Sequence, residues 1–262
     1  MTFAVATYNV LATAYIRPAW YPFTPTDVLD PRHRIPALVQ HLASLRADVL
    51  CLQEVEDETF AALDRHLSSL GYHGELVKKG GGKPDGCAAF VQTQVFHLLR
   101  SSRLDYHETA GEPPSGHVAQ LLVLGTERSR LVIANTHLKW DPPATPLDRQ
   151  YGYRQIRQLL AARTAEDLEA SAWIICGDLN ATPDSAVLQT LSAAGFRFTH
   201  AAMIDAATCN SNHRAKMIDF LLHDGALGAD PIPLIPLLDT TPMPGPAQPS
   251  DHLAVMARFD WA

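Results

Sequence analysis

Five apolar stretches of the chain stop at polar side chains that do not suit a protein core. These stops are Tyr8-Asn9, Gln53-Glu54, Asn135-Thr136-His137, Gly177-Asp178-Leu179-Asn180 and Ile218-Asp219. Side chains at strand ends converge on one rim of a sheet protein, where a rigid scaffold presents them to a ligand in solvent. Carboxylates, amides and imidazoles gathered there indicate metal-assisted chemistry on a phosphate group.

Glu54 is the strongest single candidate for a metal ligand. It follows the apolar run Val49-Leu50-Cys51-Leu52, so it should point out of a buried strand as a hard oxygen donor suited to hydrated Mg²⁺. The alternative role is a helix cap, because acidic residues also follow it. Asn9 has two interpretations as well: it supports Glu54 or the water shell of the metal, or it forms a turn with its own backbone.

Asp178 and Asn180 are two residues apart, which on an extended chain directs both side chains to one side and Leu179 to the core. A carboxylate there can take a proton from an attacking water molecule. A neighbouring amide can stabilise the charge that develops on phosphate oxygens. The alternative is a simple turn in Asp-Leu-Asn-Ala-Thr-Pro-Asp, and a turn is compatible with catalysis.

Asp251-His252 closes a proline-rich segment, residues 231–250, which carries little helical or strand pattern and is predicted to be a long loop. His252 is well placed to touch a substrate phosphate, and Asp219 could fix its tautomer by accepting the ring proton. His137 is the other candidate histidine. The chain has 12 histidines, so either one by itself could be incidental.

The segment from Lys78 to Gly86 reads KKGGGKPDG and superficially resembles a phosphate-binding loop. Lys83 is followed by proline instead of serine or threonine, and no helix follows, so the pattern fails. The segment is predicted to be a flexible basic loop whose lysines, Lys83 among them, meet substrate phosphates at the mouth of the site.

The elements that must position these residues alternate along the chain without a compositional break. Strands are predicted at residues 3–10, 48–53, 86–92, 118–124, 131–138, 173–178, 217–223 and 253–259, and helices at 32–46, 57–70, 147–170 and 184–194. Helices that follow strands cover sheet faces, while the consecutive strands from Gly86 to Leu138 pair as hairpins. The pattern predicts an α/β sandwich of two mixed sheets with helices outside.

Length and charge narrow the class of protein further. A chain of 262 residues with 47% apolar content is predicted to form one domain, residues 1–262. A net charge of -7 disfavours a histone-like or repressor-like binder. The four cysteines are far apart in sequence and lack the C-x-x-C spacing of metal sites, so we expect them to be buried free thiols in a reducing compartment. The N-terminus shows no export signal and no stretch suits a membrane span, so we expect a cytoplasmic protein without membrane association, and a monomer.

Taken together, the motifs resemble the endonuclease/exonuclease/phosphatase superfamily. They are Thr7-Tyr8-Asn9-Val10-Leu11, Leu52-Gln53-Glu54-Val55, Asn135-Thr136-His137-Leu138, Gly177-Asp178-Leu179-Asn180, Ile218-Asp219-Phe220 and Ser250-Asp251-His252, in order over residues 7–252. The segments around Asn9, Asp85-Gly86-Cys87-Ala88 and Trp140-Asp141-Pro142 are similar to the branch of carbon catabolite repressor type deadenylases, nocturnin, angel proteins and 2',5'-phosphodiesterases. The resemblance implies a DNase I-like four-layer sandwich and magnesium-dependent phosphoester cleavage.

The resemblance also implies roles for individual residues. The metal ion, Mg²⁺ or in its place Mn²⁺, would be held by Glu54, Asn9 and Asp251, and Asp178 would activate or orient water. The phosphate would be held by Asn180, His137 and His252, with Asp219 behind His252. The substrate would also be contacted by Pro142, Lys83 and Asn210. One departure concerns the base: deadenylases carry a stacking aromatic ahead of the Ile-Asp strand, where this chain has Ala207-Thr208-Cys209-Asn210-Ser211-Asn212. Base stacking contributes about 1–3 kcal/mol, so its loss weakens the case for poly(A) specificity.

Three functions follow as hypotheses. The preferred one is a 3'-5' exoribonuclease on single-stranded RNA or short oligonucleotides that releases 5'-nucleotides. The second is a phosphatase on a small nucleotide or on a terminal 2'- or 2',3'-cyclic phosphate of RNA. The third is a catalytically silent binding module, which the joint presence of Glu54, Asp178, Asn180 and His252 disfavours. No protein partner can be inferred, and fold likeness alone cannot choose the substrate.

Overall fold

The computed structural model describes residues 1–109, 111–127, 129–165 and 170–261. Its strands are β1 Thr2–Asn9, β2 Val49–Glu56, β3 Tyr72–Lys78, β4 Asp85–Gln92, β5 His97–Asp105, β6 Val118–Gly125, β7 Arg130–His137, β8 Ala172–Asp178, β9 Arg197–Phe198, β10 Cys209–Ser211, β11 Arg214–Lys216, β12 Asp219–His223, β13 Leu227–Pro231 and β14 Val255–Trp261. Its α-helices are α1 Thr26–Leu29, α2 Pro31–Leu45, α3 Asp57–Ser68, α4 Tyr151–Ala165 and α5 Ala186–Ala193.

Two six-stranded mixed sheets form the body of the protein. The first has the order β13-β14-β1-β2-β4-β3, the second β5-β6-β7-β8-β12-β9, and β10 and β11 form a separate hairpin. The central pairs β1–β2 and β7–β8 are parallel, and their neighbours are antiparallel. Strands such as β6 and β8 are buried along their whole length, which explains their continuous apolar sequences.

Four layers result from this arrangement. The inner faces of the two sheets pack on one another through side chains such as Val5, Cys51, Ile133 and Cys176. Helices α2 and α3 cover the outer face of the first sheet, and α4 and α5 cover that of the second. The predicted four-layer sandwich is confirmed. Within the described part of the chain, none of the helices has the length and apolar character needed to cross a membrane.

Buried amides tie the two sheets together beside the rim where the polar motifs lie. Gln53 Nε2 donates to Asn135 Oδ1 at 2.8 Å and to Thr7 Oγ1 at 2.9 Å. Asn135 Nδ2 in turn donates to the backbone oxygens of Leu52 and Ala88. Since Gln53 precedes Glu54 and Asn135 lies two residues before His137, this network fixes the two halves of the site relative to one another.

Several elements differ from the predicted ones. The sequence predicted neither helix α1 nor the strands β3, β5, β9, β10, β11 and β13. Strands β3 and β5 lie at sheet edges and are largely half-buried or exposed, so their polar sequences gave no strand signal. The predicted helix over 147–170 is a short 3-10 turn, Leu147–Arg149, followed by α4; residues 166–169 lie outside the described residues. The predicted strand over 217–223 begins only at Asp219. Of the predicted loop over 231–250, Pro231 ends β13, and residues 232–250 contain neither helix nor named strand, as the proline-rich sequence indicated.

Candidate active site

The polar motifs meet at one rim because of strand direction. Parallel β1 and β2, and parallel β7 and β8, bring Asn9, Gln53, His137 and Asp178 to neighbouring strand ends. Asp219 was expected at the end of its strand, but it stands at the start of β12. Since β12 runs antiparallel to β8, Asp219 pairs with Asp178 at the same rim, so the convergence holds for a different reason.

Asn9 connects the two carboxylates that belong to different sheets. Its Nδ2 donates to Glu54 Oε1 at 3.1 Å and to Asp178 Oδ2 at 3.0 Å, while its Oδ1 accepts from the backbone of Leu11 at 3.0 Å. Both interpretations of Asn9 therefore apply at once: it forms the turn with its own backbone, and it supports Glu54.

Glu54 occupies a strained position. Strand β2 continues past it to Glu56, with an irregularity between Leu52 and Val55, and Glu54 itself has φ of 60°. Backbone strain of this kind in a non-glycine residue clusters at functional sites. Burial is the main cause that raises the pKa of Glu54, and the nearby charge of Asp251 adds to it, whereas Lys79 opposes it. A negative charge that opposes the ionisation of Glu54 favours a cation near these two carboxylates.

Asp178 is the point on which three elements converge. Its Oδ2 lies 3.6 Å from His137 Nε2 and 3.8 Å from His252 Nε2, besides the bond from Asn9. Burial, and then the negative charge of Asp219, raises the pKa of Asp178 to about 7. A carboxylate with such a pKa is suited to accept a proton near neutral pH.

Asn180 reaches the site by a turn. Its φ of 48° is left-handed, so the extended geometry predicted for residues 178–180 is wrong. Its backbone N donates to Asp178 Oδ1 at 2.9 Å, and this turn carries the amide to Leu138, whose oxygen accepts from Nδ2 at 2.9 Å. The same Nδ2 lies 3.1 Å from His137 Nε2, so Asn180 and His137 still lie side by side.

His252 is held as the sequence predicted, by Asp219. Its Nδ1 lies 3.0 and 2.9 Å from the two carboxylate oxygens of Asp219, and Thr208 Oγ1 donates to the same carboxylate at 2.7 Å. Burial works against the charged imidazole, but Asp219 and Cys209 together outweigh it, so the pKa of His252 lies well above its usual value. His252 is therefore a cationic donor whose Nε2 faces Asp178.

Lys79 is a site residue that the sequence analysis missed. It was assigned to a flexible loop at the mouth, but its side chain is only 2% exposed and its Nζ lies 2.6 Å from Asp85 Oδ2 and 3.2 Å from His137 Nδ1. Tyr15 donates to the other oxygen of Asp85 at 2.6 Å. The spacing of the KKGGGK segment gives no signal for this; only the approach of β3 to β4 buries the second lysine.

The charge of Lys79 decides the tautomer of His137. An ammonium group has no lone pair, so Nδ1 must accept and the ring hydrogen lies on Nε2. The 3.1 Å approach of Asn180 Nδ2 to Nε2 is then a contact between two N–H groups and not a hydrogen bond. Burial, with Lys79 next, holds the pKa of His137 well below its usual value, so the ring is neutral. His117 stacks edge-on against it at 5.4 Å and donates from Nδ1 to the backbone oxygen of His137 at 2.8 Å. His137 is thus a neutral N–H donor, in contrast to the cationic His252.

Asp251 carries the clearest mark of a cation-binding position. Its Oδ2 accepts from Tyr21 at 3.1 Å, but its buried Oδ1 has no hydrogen-bond partner among the described residues. Asp178 and Asp219 add two further buried carboxylates at the same rim. A buried carboxylate oxygen without a hydrogen bond, whose charge acts on Glu54, is the kind of hard donor that Mg²⁺ prefers, so the donor set fits a divalent cation.

The three predicted substrate contacts lie outside this cluster. Pro142 is exposed in the turn after β7, and Lys83 is half-buried in the turn between β3 and β4. Asn210 lies in β10, and its Nδ2 is used to hold the backbone oxygens of Leu238, Asp239 and Thr241. Only the unpartnered Oδ1 of Asn210 remains for a ligand.

A fold of two mixed sheets with acidic and histidine side chains at one rim defines the class of DNase I-like phosphoesterases. The chain belongs to the Endonuclease/Exonuclease/phosphatase family, which it matches over residues 6–252. This is a family of hydrolytic nucleases and phosphatases.

The amino-acid sequence is similar to two kinds of curated protein. It is 28% identical over 190 residues to Protein angel homolog 2 of Danio rerio, covering 69% of this chain and 33% of that protein. It is 27% identical over 225 residues to the CCR4-Not complex 3'-5'-exoribonuclease subunit Ccr4 of Candida albicans, covering 72% of this chain and 28% of that protein. The match spans about a third of the length of these relatives.

Solved structures show the same fold. ANGEL2, described as a 2',3'-cyclic phosphatase in complex with adenosine-2',3'-vanadate, superposes with a TM-score of 0.83 at 23% identity, covering 99% of this chain and 95% of that one. The human Nocturnin catalytic domain with bound sulfate gives a TM-score of 0.75 at 23% identity, covering 100% and 94%. The family match and the sequence relatives, angel homolog 2 and Ccr4, confirm the predicted branch of the superfamily.

Proposed function

We propose that this chain is a magnesium-dependent phosphodiesterase, a 3'-5' exoribonuclease that removes 5'-nucleotides from single-stranded RNA or short oligonucleotides. The observation that carries the proposal is the convergence of Asn9, His137 and His252 on Asp178 Oδ2 within 3.8 Å. Asp178 Oδ2, surrounded by an amide, a neutral imidazole and an imidazolium, is suited to accept a proton from a water molecule and to orient that water towards a phosphate. The match to the Ccr4 exoribonuclease subunit supports the same reaction class.

The cation would be held by Glu54 and Asp251, with Asn9 orienting Glu54. Bound there, Mg²⁺ or Mn²⁺ would supply positive charge to the scissile phosphate. Asp178, whose pKa is raised to about 7 mainly by burial, takes the proton of the attacking water. Asp219 keeps the ring proton on His252 Nδ1, so that the Nε2–H of His252 donates to a phosphate oxygen as negative charge develops.

His137 and Asn180 act on the same phosphate from the other sheet. Lys79 fixes Nε2 as the N–H of the His137 ring, so this neutral donor needs no protonation step. Asn180 is held beside it by Leu138. Two donors, from β7 and from the turn after β8, would contact the phosphate together with His252 from the segment before β14, which would give the phosphate a fixed orientation for in-line attack.

A second candidate is a phosphatase on an RNA end that carries a 2',3'-cyclic phosphate. The observation in its favour is the likeness to angel homolog 2 in sequence and to ANGEL2 in fold. Both reactions would use the same polar residues at the rim, so the loops around the site must determine which substrate is bound. Trp20 and Phe23, 48% and 49% exposed, are the aromatic side chains of the loop before α1 that a base could meet, whereas Tyr21 is buried.

Product analysis separates the candidates. The protein is incubated with a 3'-tailed RNA, a 2',5'-linked oligoadenylate, a 2',3'-cyclic RNA end and a 2'-phosphorylated dinucleotide, each with Mg²⁺ and with a chelator. Stepwise 5'-mononucleotide release that requires Mg²⁺ supports the exoribonuclease. Ring opening or phosphate loss alone moves the assignment to the phosphatase, and no turnover on any substrate favours the binding module.

Two variants belong beside the wild type in that assay. Asp178→Ala removes the proposed base and should abolish turnover, since a positioned base contributes about 10²- to 10⁴-fold. Asp205→Ala changes an exposed aspartate outside the cluster and should leave the rate unaltered. Equal activity of wild type and Asp178→Ala would refute the proposed mechanism whatever the substrate.

A further inference from the structure

A second group of metal-binding side chains shares the phosphate-facing side of His252. Cys209 and His252 face one another across an antiparallel bridge, which is flanked by hydrogen bonds from Asn210 N to Asp251 O and from Leu253 N to Thr208 O. The ligating atoms of Cys209, Asp251 and His252 all lie within 4.8 Å of one another, and all three residues are buried. Backbone pairing therefore fixes a thiol, a carboxylate and an imidazole in one place.

Two of the three ligands are already arranged for a metal. Asp219 accepts from His252 Nδ1, which leaves Nε2 as the nitrogen that can coordinate, and a carboxylate behind the ring is the usual support of a metal-binding histidine. That Nε2 lies 3.9 Å from Asp251 Oδ1. Asp251 is 4% exposed, and Oδ1 has no hydrogen-bond partner within the described ranges.

The donor types decide which cation suits this cluster. Mg²⁺ avoids sulfur and nitrogen ligands, whereas thiolate, imidazole and carboxylate together select Zn²⁺ and similar thiophilic ions. Tetrahedral zinc bonds place neighbouring ligand atoms about 3.4–3.6 Å apart. The present separations require side-chain shifts of only about an ångström to reach that geometry. Coordination would replace the 3.4 Å bond of Cys209 to Ser211 Oγ and the side-chain hydrogen bond between Cys209 and His252.

We propose that Cys209, Asp251 and His252 form an inhibitory site for a thiophilic divalent cation of the Zn²⁺ type. Coordination releases the thiol proton of Cys209 and the Nε2 proton of His252 to solvent. His252 then has no N–H to offer a phosphate oxygen, and Asp251 is withdrawn from the magnesium site. Binding at this cluster stands independently of the proposed function; the inhibition rests on it.

Binding is tested with Co²⁺, a spectroscopic substitute for Zn²⁺, in the presence of excess Mg²⁺. Wild type should show a thiolate-to-cobalt charge-transfer band that Zn²⁺ displaces. Cys209→Ser should lose the band, while Cys51→Ser, a buried thiol in the sandwich core, should keep it. Absence of the band in wild type, or its persistence in Cys209→Ser, overturns the proposal. Thermal unfolding checks both variants, and Cys209→Ala replaces Cys209→Ser if the serine does not fold.

The consequence for turnover is measured by titrating Zn²⁺ at fixed Mg²⁺. Loss of even an outer partner of a metal ligand costs about 10- to 100-fold in affinity, so Cys209→Ser should raise the half-inhibitory Zn²⁺ concentration by about 100-fold. Equal inhibition of wild type and Cys209→Ser overturns the inhibitory role. A wild type that binds Co²⁺ through sulfur but never cleaves RNA or phosphate ends would instead refute the proposed function and leave the metal site standing.

Discussion

Replacement of Asp219 by asparagine isolates the electrostatic link between His252 and Asp178. Asp219 is fully buried, accepts from Thr208 and meets His252 Nδ1 through both carboxylate oxygens. Asparagine has nearly the same shape, so the substitution removes one negative charge while it keeps an acceptor for the ring proton. The change should therefore alter protonation at the rim more than its geometry.

The size of the effect follows from the bonds that are lost. A hydrogen bond to a charged group contributes about 1.5–3 kcal/mol, so weakening the support of the imidazolium should lower kcat/KM by about 10- to 100-fold. The pH profile should move as well. Burial and then the charge of Asp219 raise the pKa of Asp178 to about 7, and removal of that charge lowers it. The pKa of His252, held high by Asp219, falls too.

Both limbs of a bell-shaped profile of kcat/KM against pH should therefore shift to lower pH in Asp219→Asn. The assay is turnover of the best substrate from the product analysis, measured from pH 4 to pH 10 at saturating Mg²⁺. Asp230→Asn, which changes an aspartate that is 75% exposed, is the matched control and should reproduce the wild-type profile. A reduced rate with an unshifted profile would refute the electrostatic link and leave Asp219 a packing role.

Glu54→Gln should raise the Mg²⁺ concentration for half-maximal activity by about 10-fold or more; a titration that superposes on wild type would contradict Glu54 as the metal ligand. Lys79→Met removes the cation beside buried Asp85 and leaves its carboxylate with the hydrogen bond from Tyr15. Urea unfolding should therefore show a loss of about 3–5 kcal/mol in the free energy of unfolding, and Lys79→Arg should recover part of it; full stability of Lys79→Met would disprove the buried pair. Burial, and next Lys79, lowers the pKa of His117 from 6.5 to about 3, so its stabilising contribution is full above pH 6.5 and is lost as pH falls. His117→Gln should flatten the decline in unfolding free energy from pH 7 to pH 5 by about 2 kcal/mol, and an unchanged slope would argue against a neutral His117.

The amino-acid sequence alone was enough to identify most of the polar residues that meet at the rim. Apolar runs that end in Asn9, Glu54 and Asp178 predict strands with polar ends, because a strand buried on both faces has no other place for such side chains. The continuous apolar strands and the periodic helices likewise predict the two-sheet sandwich. The contact between Asp219 and His252 also followed, since a histidine aimed at a phosphate needs a group to fix its tautomer.

Other parts of the site depended on contacts between distant segments. Lys79 belongs to a glycine-rich turn that looks exposed in sequence, and it is buried only because β3 and β4 carry it beneath His137. Cys209 comes to lie beside His252 through a bridge between segments that are 43 residues apart in the numbering, 209 and 252. No local pattern encodes either contact, because both result from how strands pair.

The local sequence therefore determined which residue types lie at the rim, and the tertiary structure determined their protonation states. The sequence offers two histidines of equal standing, His137 and His252. The fold places one beside an ammonium group and the other beside a carboxylate, so one is neutral and the other is charged. The physical reason is that a pKa depends on burial and on neighbouring charges, and those neighbours are set only when the two sheets pack together.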